Sequence, residues 1–443
     1  MPSVCLYFQV HQPFRVRKFA YADSCSQLNY FDDLKNKTVC QKVAQKCYLP
    51  TNALMLELIK RFAGQFKVAY SISGLAIEQF RLYCPEVINS FRELASTGYV
   101  EFIAETYYHS LSSLYDEQEF IAQIDKQVGL MEELFGQRPR TFRNTELIYD
   151  DRIGNIVAGL GFRAMITEGA DSILQGRSPN YTYRHPNNNM RLLLKNYGYS
   201  DDIAFRFSNR AWQHYPLSAE KFASWLHSSN ANDQCINLFM DYETFGEHQW
   251  DVTGIFDFLN QFPQSILANQ QWNFATPDEL ICWYPGQETI SFPHTVSWAD
   301  LDRDLSAWQG NRMQNKALDN IYALGQHIKA TQNDHLLDVW RKLQTSDHFY
   351  YMSTKSLSDG AVHAYFSPYE SPYDAFIYYM NLLHDFAQQC QRYPTQTSCS
   401  TNQLVIEKEY ITELNSEEPI PSSNYERFSV NETITEIPLP GNK

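Results

Sequence analysis

Cations are in short supply in this sequence. Its 443 residues carry 36 Lys and Arg against 51 Asp and Glu, a formal net charge of −15. A chain of that sign has no general attraction for nucleic acid or an anionic membrane surface, so neither is expected as its main partner. A neutral substrate is indifferent to the charge. Paired cysteines are missing as well. The nine cysteines (5, 25, 40, 47, 84, 235, 282, 390 and 399) are odd in number and include no C-x-x-C spacing for zinc or redox work. Cys5 and Cys235 sit in apolar runs and read as buried thiols. No apolar stretch approaches the roughly 20 residues that a membrane span needs. Residues 1–10 lack a basic region followed by a long apolar one, and read as a strand, not a secretory signal. These absences together lead to the expectation of a cytoplasmic protein with reduced thiols. No Gly-rich nucleotide turn follows any predicted strand. There is no internal repeat, and neither H-x-x-x-H nor H-E-x-x-H occurs.

Aromatic residues, in contrast, are abundant, with 29 Tyr, 28 Phe and 8 Trp. Rings of this kind stack on sugar faces, and they also simply fill cores. Apolar spacing predicts strands at 4–10, 66–72, 98–103, 141–144, 161–167, 203–207, 236–241 and 272–275. It predicts helices at 51–62, 86–95 and 116–135. Alternation at this pitch argues for parallel βαβ units, and seven or eight of them in residues 1–285 suit a (β/α) barrel. An open doubly wound sheet is the rival. Beyond residue 285 the pattern turns helical, with one apolar stripe at 317, 321, 324 and 328 and another at 336, 337, 340 and 343. Ser371-Pro372 opens a last helix. The expected domains are therefore 1–285, a helical 286–393, and a Ser-, Thr- and Glu-rich irregular or disordered tail at 394–443.

The stretch from Phe239 to Trp250 is the most informative. A buried strand runs directly into Asp241, Glu243, Glu247 and His248, with Gly246 marking a turn. If the strand continues, Asp241 and Glu243 share a face. The plain alternative is a solvated turn. A second acid, Glu146, follows the short strand at 141–144. Two carboxylates at different strand ends are the minimum for glycoside hydrolysis, one attacking the anomeric carbon and one protonating the leaving oxygen. Against this, Glu146 could simply pair with Arg143 or Arg152. A zinc or iron site built from His11, His109, His248, Glu101 and Asp241 is the chemical rival. Thr276-Pro-Asp-Glu279 reads as a capping box, which takes Glu279 out of the site.

Five separated stretches make the chain resemble the family 57 glycoside hydrolases, the α-amylase and 4-α-glucanotransferase group. They are His11-Gln-Pro13, Gly98-Tyr-Val-Glu101-Phe, Arg143-Asn-Thr-Glu146-Leu, Met240-Asp241-Tyr-Glu-Thr-Phe-Gly-Glu-His248, and Trp298-Ala-Asp through Arg303-Asp304-Leu-Ser-Ala-Trp308. The resemblance implies an α/β fold with an incomplete, seven-stranded (β/α) barrel followed by a helical domain. It implies a retaining mechanism on α-glucans with no cofactor and no metal. By the same resemblance Glu146 matches the nucleophile and Asp241 the acid/base. His11, Glu101, Glu243, Trp250, Asp304 and Trp308 match residues that hold or contact substrate. The lack of a long C-terminal β-domain favours an α-amylase-like hydrolase. A 4-α-glucanotransferase, a silent sugar-binding homologue and a metal-dependent deacetylase remain as alternatives.

Overall fold

The computed structural model describes residues 2–23, 28–230, 232–286 and 288–394. Apart from residue 394, the expected tail lies outside the described residues. Among the described residues nine strands form two sheets: β1 Ser3–Val10, β2 Val68–Ile72, β3 Val100–Phe102, β4 Thr141–Arg143, β5 Ala164–Glu168, β6 Thr182–Arg184, β7 Arg191–Lys195, β8 Cys235–Asp241 and β9 Asn273–Phe274. The first sheet has the order β3-β2-β1-β8, with β9 also on β1, and the second has β4-β5-β7-β6. Every pairing is parallel except β6 with β7.

The two sheets meet at both seams. Ala104, just past β3, bridges Phe142 in parallel. At the other seam Asn196 N donates to Asn237 O at 2.9 Å and Asn237 Nδ2 donates to Leu194 O at 2.8 Å. Seven parallel strands therefore follow one another from β1 through β2, β3, β4, β5, β7 and β8 back to β1. Alternation sorts their side chains. Val4, Leu6, Phe8 and Val10 of β1 face an outer core shared with the helices Leu49–Arg61, Gly74–Tyr83 and Ile255–Leu267. Cys5 and Tyr7 face inward, with Ala69, Ile166, Leu193 and Phe239 from strands of both sheets.

One predicted strand is wrong. Residues 203–207 are apolar except for Arg206, yet Ile203 and Ala204 end the helix Tyr197–Ala204, whose first turn is capped by Asn196. Ile203 and Phe207 stand four apart, which suits one helical face as well as a strand, and both are buried. The strand in this part of the chain is β7, whose Leu192, Leu193 and Leu194 are buried on both faces between β5 and β6. A fully buried strand of this kind loses the polar alternation that would announce it.

Helices fill residues 306–390, among them Arg312–Ala323, Asp334–Lys342, Ser346–Tyr350, Leu357–Phe366 and Pro372–Cys390. Their apolar stripes join Phe142, Met165, Leu192 and Leu194 of the second sheet in one continuous core. They thus lean on the strands and do not form a detached bundle. The capping box at Thr276 and Glu279 forms as read.

Candidate active site

A cavity of about 320 Å³ opens at the carboxyl ends of the parallel strands. Lys195 and Asp241 line it from the last positions of β7 and β8, His11 and Glu146 from just beyond β1 and β4, and Asp347 from the helix Ser346–Tyr350. This is the end of a parallel sheet where chain turns away from the strands and leaves side chains free to converge.

Glu146 stands three residues past β4 with φ 59° and ψ 24°, and Leu147 follows at φ 51°. Left-handed backbone costs an ordinary side chain about 1–2 kcal/mol, so the surroundings must hold it. They do: Trp298 N donates to Glu146 O at 3.1 Å, and Tyr149 pairs with Val296 just beyond. The bend presents the carboxylate to three donors. Trp298 Nε1 donates to Oε2 at 2.7 Å, Ser346 Oγ donates to Oε1 at 3.0 Å, and His109 Nε2 lies 3.3 Å from Oε1. Burial alone would raise the Glu146 pKa, but the His109 hydrogen bond and charge, with Arg143 behind, hold it below the ordinary carboxylate value.

Asp241 is the last residue of β8, in register with Gln9 of β1. Its pKa is pushed up to about 6, first by burial and then by the charge of Glu146, against Arg143, Lys195 and His109. One acid in the cavity is thereby set to be ionised and the other to carry a proton in mildly acidic water. Glu243, two residues on, accepts from Tyr48 and, at 3.5 Å, from Gln12. Burial and the Asp241 charge push its carboxyl up to about 8. Tyr48 reaches it from a single π-helical turn, Ala44–Tyr48. Gly246 lets the loop close on that turn: its φ is +107°, and a Cβ there would meet Lys46 O at 2.0 Å.

His11 also lines the cavity. Its ring stacks on His109 at 3.9 Å, with Nδ1 2.7 Å from Ser73 Oγ and Nε2 3.0 Å from Asp347 Oδ2. The metal set considered from sequence does not converge, because Glu101 lies elsewhere. Among the described residues, His11, His109 and Asp347 bring ligand-type atoms within 4.8 Å of one another. All four of their ring nitrogens already have hydrogen-bond partners, so the group is built as a polar network.

Four residues expected to touch substrate do not line this cavity. Glu101 sits within β3, near the opposite end of the strands, where its carboxylate accepts from Thr141 Oγ1 at 2.7 Å and from Asp278 N at 2.9 Å. It caps the helix Pro277–Trp283. Trp308 is fully buried in the helical core against Tyr350. Asp304 accepts from Ser306 N at 2.8 Å, just ahead of the short helix Ser306–Gln309. Trp250 is 53% exposed beside Lys46. Sequence reasoning in turn passed over Asp347, Ser346 and Trp298 as site residues. Ser-Asp at a helix start reads as ordinary capping, yet here Asp347 lines the cavity and the buried Ser346 hydroxyl reaches Glu146. Trp298 opens the fifth motif, but nothing in its neighbours along the chain marks it as the donor to Glu146.

An ionised carboxylate and a protonated one facing the same cavity, at the carboxyl ends of parallel strands, is the equipment with which glycoside hydrolases cut sugars. Comparison with known proteins narrows the class. The profile of glycosyl hydrolase family 57 matches residues 5–293. A protein of Methanocaldococcus jannaschii named "Putative alpha-amylase" is 45% identical over 392 residues, 86% of this chain and 83% of that one. Among solved structures, a GH57 branching enzyme from Thermococcus kodakaraensis superposes with a TM-score of 0.62 at 16% identity, covering 88% of this chain and 91% of its own. A 4-alpha-glucanotransferase from Thermococcus litoralis gives 0.56 at 16% identity over 89% of this chain and 60% of its own. The chain belongs to glycosyl hydrolase family 57.

Proposed function

We propose that the protein is a retaining, α-amylase-like glycosidase that cuts α-glucans through a covalent glycosyl–enzyme. Glu146 is the nucleophile and Asp241 the acid/base. The observation that carries this reading is the unlike surroundings of two carboxylates in one cavity: Glu146 is surrounded by donors, while burial and the Glu146 charge push Asp241 up to about 6. The 45% identical relative and its name support the substrate class. The seven parallel strands are read as the incomplete (β/α) barrel, with the helices of 306–390 as the domain that walls the cleft.

In the first step Glu146 attacks the anomeric carbon, the glucosidic C–O bond breaks, and the leaving oxygen takes the Asp241 proton. In the second step a hydroxyl gives its proton to Asp241, attacks the same carbon and releases Glu146. Water as acceptor makes a hydrolase. A sugar hydroxyl makes a transferase, the second reading, which the branching and glucanotransferase names of the structural neighbours favour. Incubation with maltoheptaose tests both: shorter products alone indicate hydrolysis, and longer ones indicate transfer. Glu146→Gln and Asp241→Asn are each expected to reduce turnover at least a thousandfold. Full activity in both overturns the proposal. Turnover is expected to survive a chelator.

A further inference from the structure

Behind Glu146 runs a buried chain that the double displacement itself does not require. His109 Nδ1 lies 2.8 Å from Glu105 Oε2 and its Nε2 lies 3.3 Å from Glu146 Oε1. His109 is 3% exposed and Glu105 is fully buried. The ring is pinned from every side. Its backbone holds φ +48°, Ser346 N donates to its carbonyl at 2.9 Å, and His11 stacks on its face. A neutral imidazole has one N–H, but here both nitrogens face carboxylates, which only accept when ionised.

The alternative, a protonated carboxyl, finds little room. Glu105 Oε1 faces Gln9 Nε2 at 2.9 Å and Ser71 Oγ at 3.1 Å, and Arg143 lies 3.8 Å from Oε2. Glu146 Oε2 faces Trp298 Nε1, which can only donate, and Oε1 faces the Ser346 hydroxyl. We propose that His109 is a standing imidazolium, held by Glu105, that positions Glu146 and stabilises its carboxylate as it leaves the sugar. This rests on the reading of Glu146 as the nucleophile.

The charges around His109 agree. Glu105 and Glu146 flank it, Asp347 lies beyond His11, and Arg143 is the opposing cation, with its guanidinium 4.8 Å from the Trp298 ring. His11 is held below its ordinary pKa by burial and then by the His109 charge, so it is the neutral member of the stacked pair. Burial would lower the His109 pKa too, but its two carboxylate bonds push it up to about 9. His109 moves no proton, because neither nitrogen is free to exchange one with substrate. Its charge is best satisfied when Glu146 is a free carboxylate, and less so when Glu146 is an ester. It therefore favours the second step, in which the ester C–O bond breaks and its electron pair returns to Glu146.

Two measurements decide this. In protein labelled with ¹⁵N-histidine, the His109 signals, identified by their loss in His109→Gln, are expected to show protons on both ring nitrogens at pH 7.5. A single N–H there overturns the proposal whether or not the enzyme turns over. The kinetic arm uses Glu105→Gln with an aryl α-maltoside bearing a good leaving group. Its kcat is expected to fall at least tenfold and KM to fall with it as glycosyl–enzyme accumulates, leaving kcat/KM less changed. The acid limb of kcat/KM is expected to rise by about one pH unit as Glu146 loses its cationic support. Unchanged kcat and an unmoved limb in folded Glu105→Gln overturn the proposal. Full activity in Glu146→Gln instead defeats the nucleophile assignment, and the labelled protein still reports the charge on His109.

Discussion

At the scale of single residues, the site works by giving like side chains unlike surroundings. Glu146 and Asp241 are both acids in one cavity, but one meets three donors and a cation while the other has burial and a negative neighbour. The pH profile of kcat/KM follows from the signs. Asp241 must be protonated, so activity should fall as pH rises through about 6. Glu146 must be ionised, so activity should fall again only below its depressed pKa. The bell should therefore sit on the acid side of 6 in rates measured with excess enzyme, and with an activated aryl glycoside Asp241→Asn should flatten its basic limb. Trp298 gives the nucleophile its shortest hydrogen bond, 2.7 Å. A hydrogen bond to a charged group is worth about 1.5–3 kcal/mol, so Trp298→Phe should lower kcat roughly ten- to a hundredfold, checked by steady-state kinetics at fixed pH.

At the scale of elements, each strand has a working end and a structural end, and the acids must be sorted between them. Glu101 and Glu105 are four residues apart, yet Glu101 caps the helix Pro277–Trp283 while Glu105 supports His109. Removing the Glu101 carboxylate leaves the Asp278 N–H and the Thr141 hydroxyl without their acceptor. Glu101→Ala should therefore lower stability by about 1–3 kcal/mol in urea melts, while kcat of the folded variant stays within about twofold of the parent. A fall in kcat without loss of stability would return Glu101 to the site.

At the scale of the whole molecule, the helices of 306–390 belong to the site as well as to the core. They carry Asp347 into the cavity and the Ser346 hydroxyl to Glu146, and their apolar stripes close over the second sheet. A chain cut after residue 293, where the family match ends, would expose Phe142, Met165 and Leu192 to water and remove the Ser346 donor from Glu146. It should be insoluble or bind a hydrophobic dye strongly, and should show no turnover. A soluble, active fragment would mean that the helices are dispensable. Among the described residues no helix is long and apolar enough to cross a membrane.

What the sequence determined by itself is what local pattern can encode. Most of the parallel strands, the helix starts at Thr276 and Ser371, and the two acids at separate strand ends were legible, because period and capping are properties of neighbours in the chain. The resemblance then paired Glu146 with Asp241. Tertiary structure decided the rest. β7 hid because a strand buried on both faces loses its alternation. Trp308 and Glu101 looked functional in their motifs, but one fills a core and the other caps a helix. Asp347 reaches His11 from 336 positions away, and Ser346 reaches Glu146 from 200. Only the closing of the helices over the strand ends brings them there, and that contact belongs to packing, which no spacing along the chain can reveal.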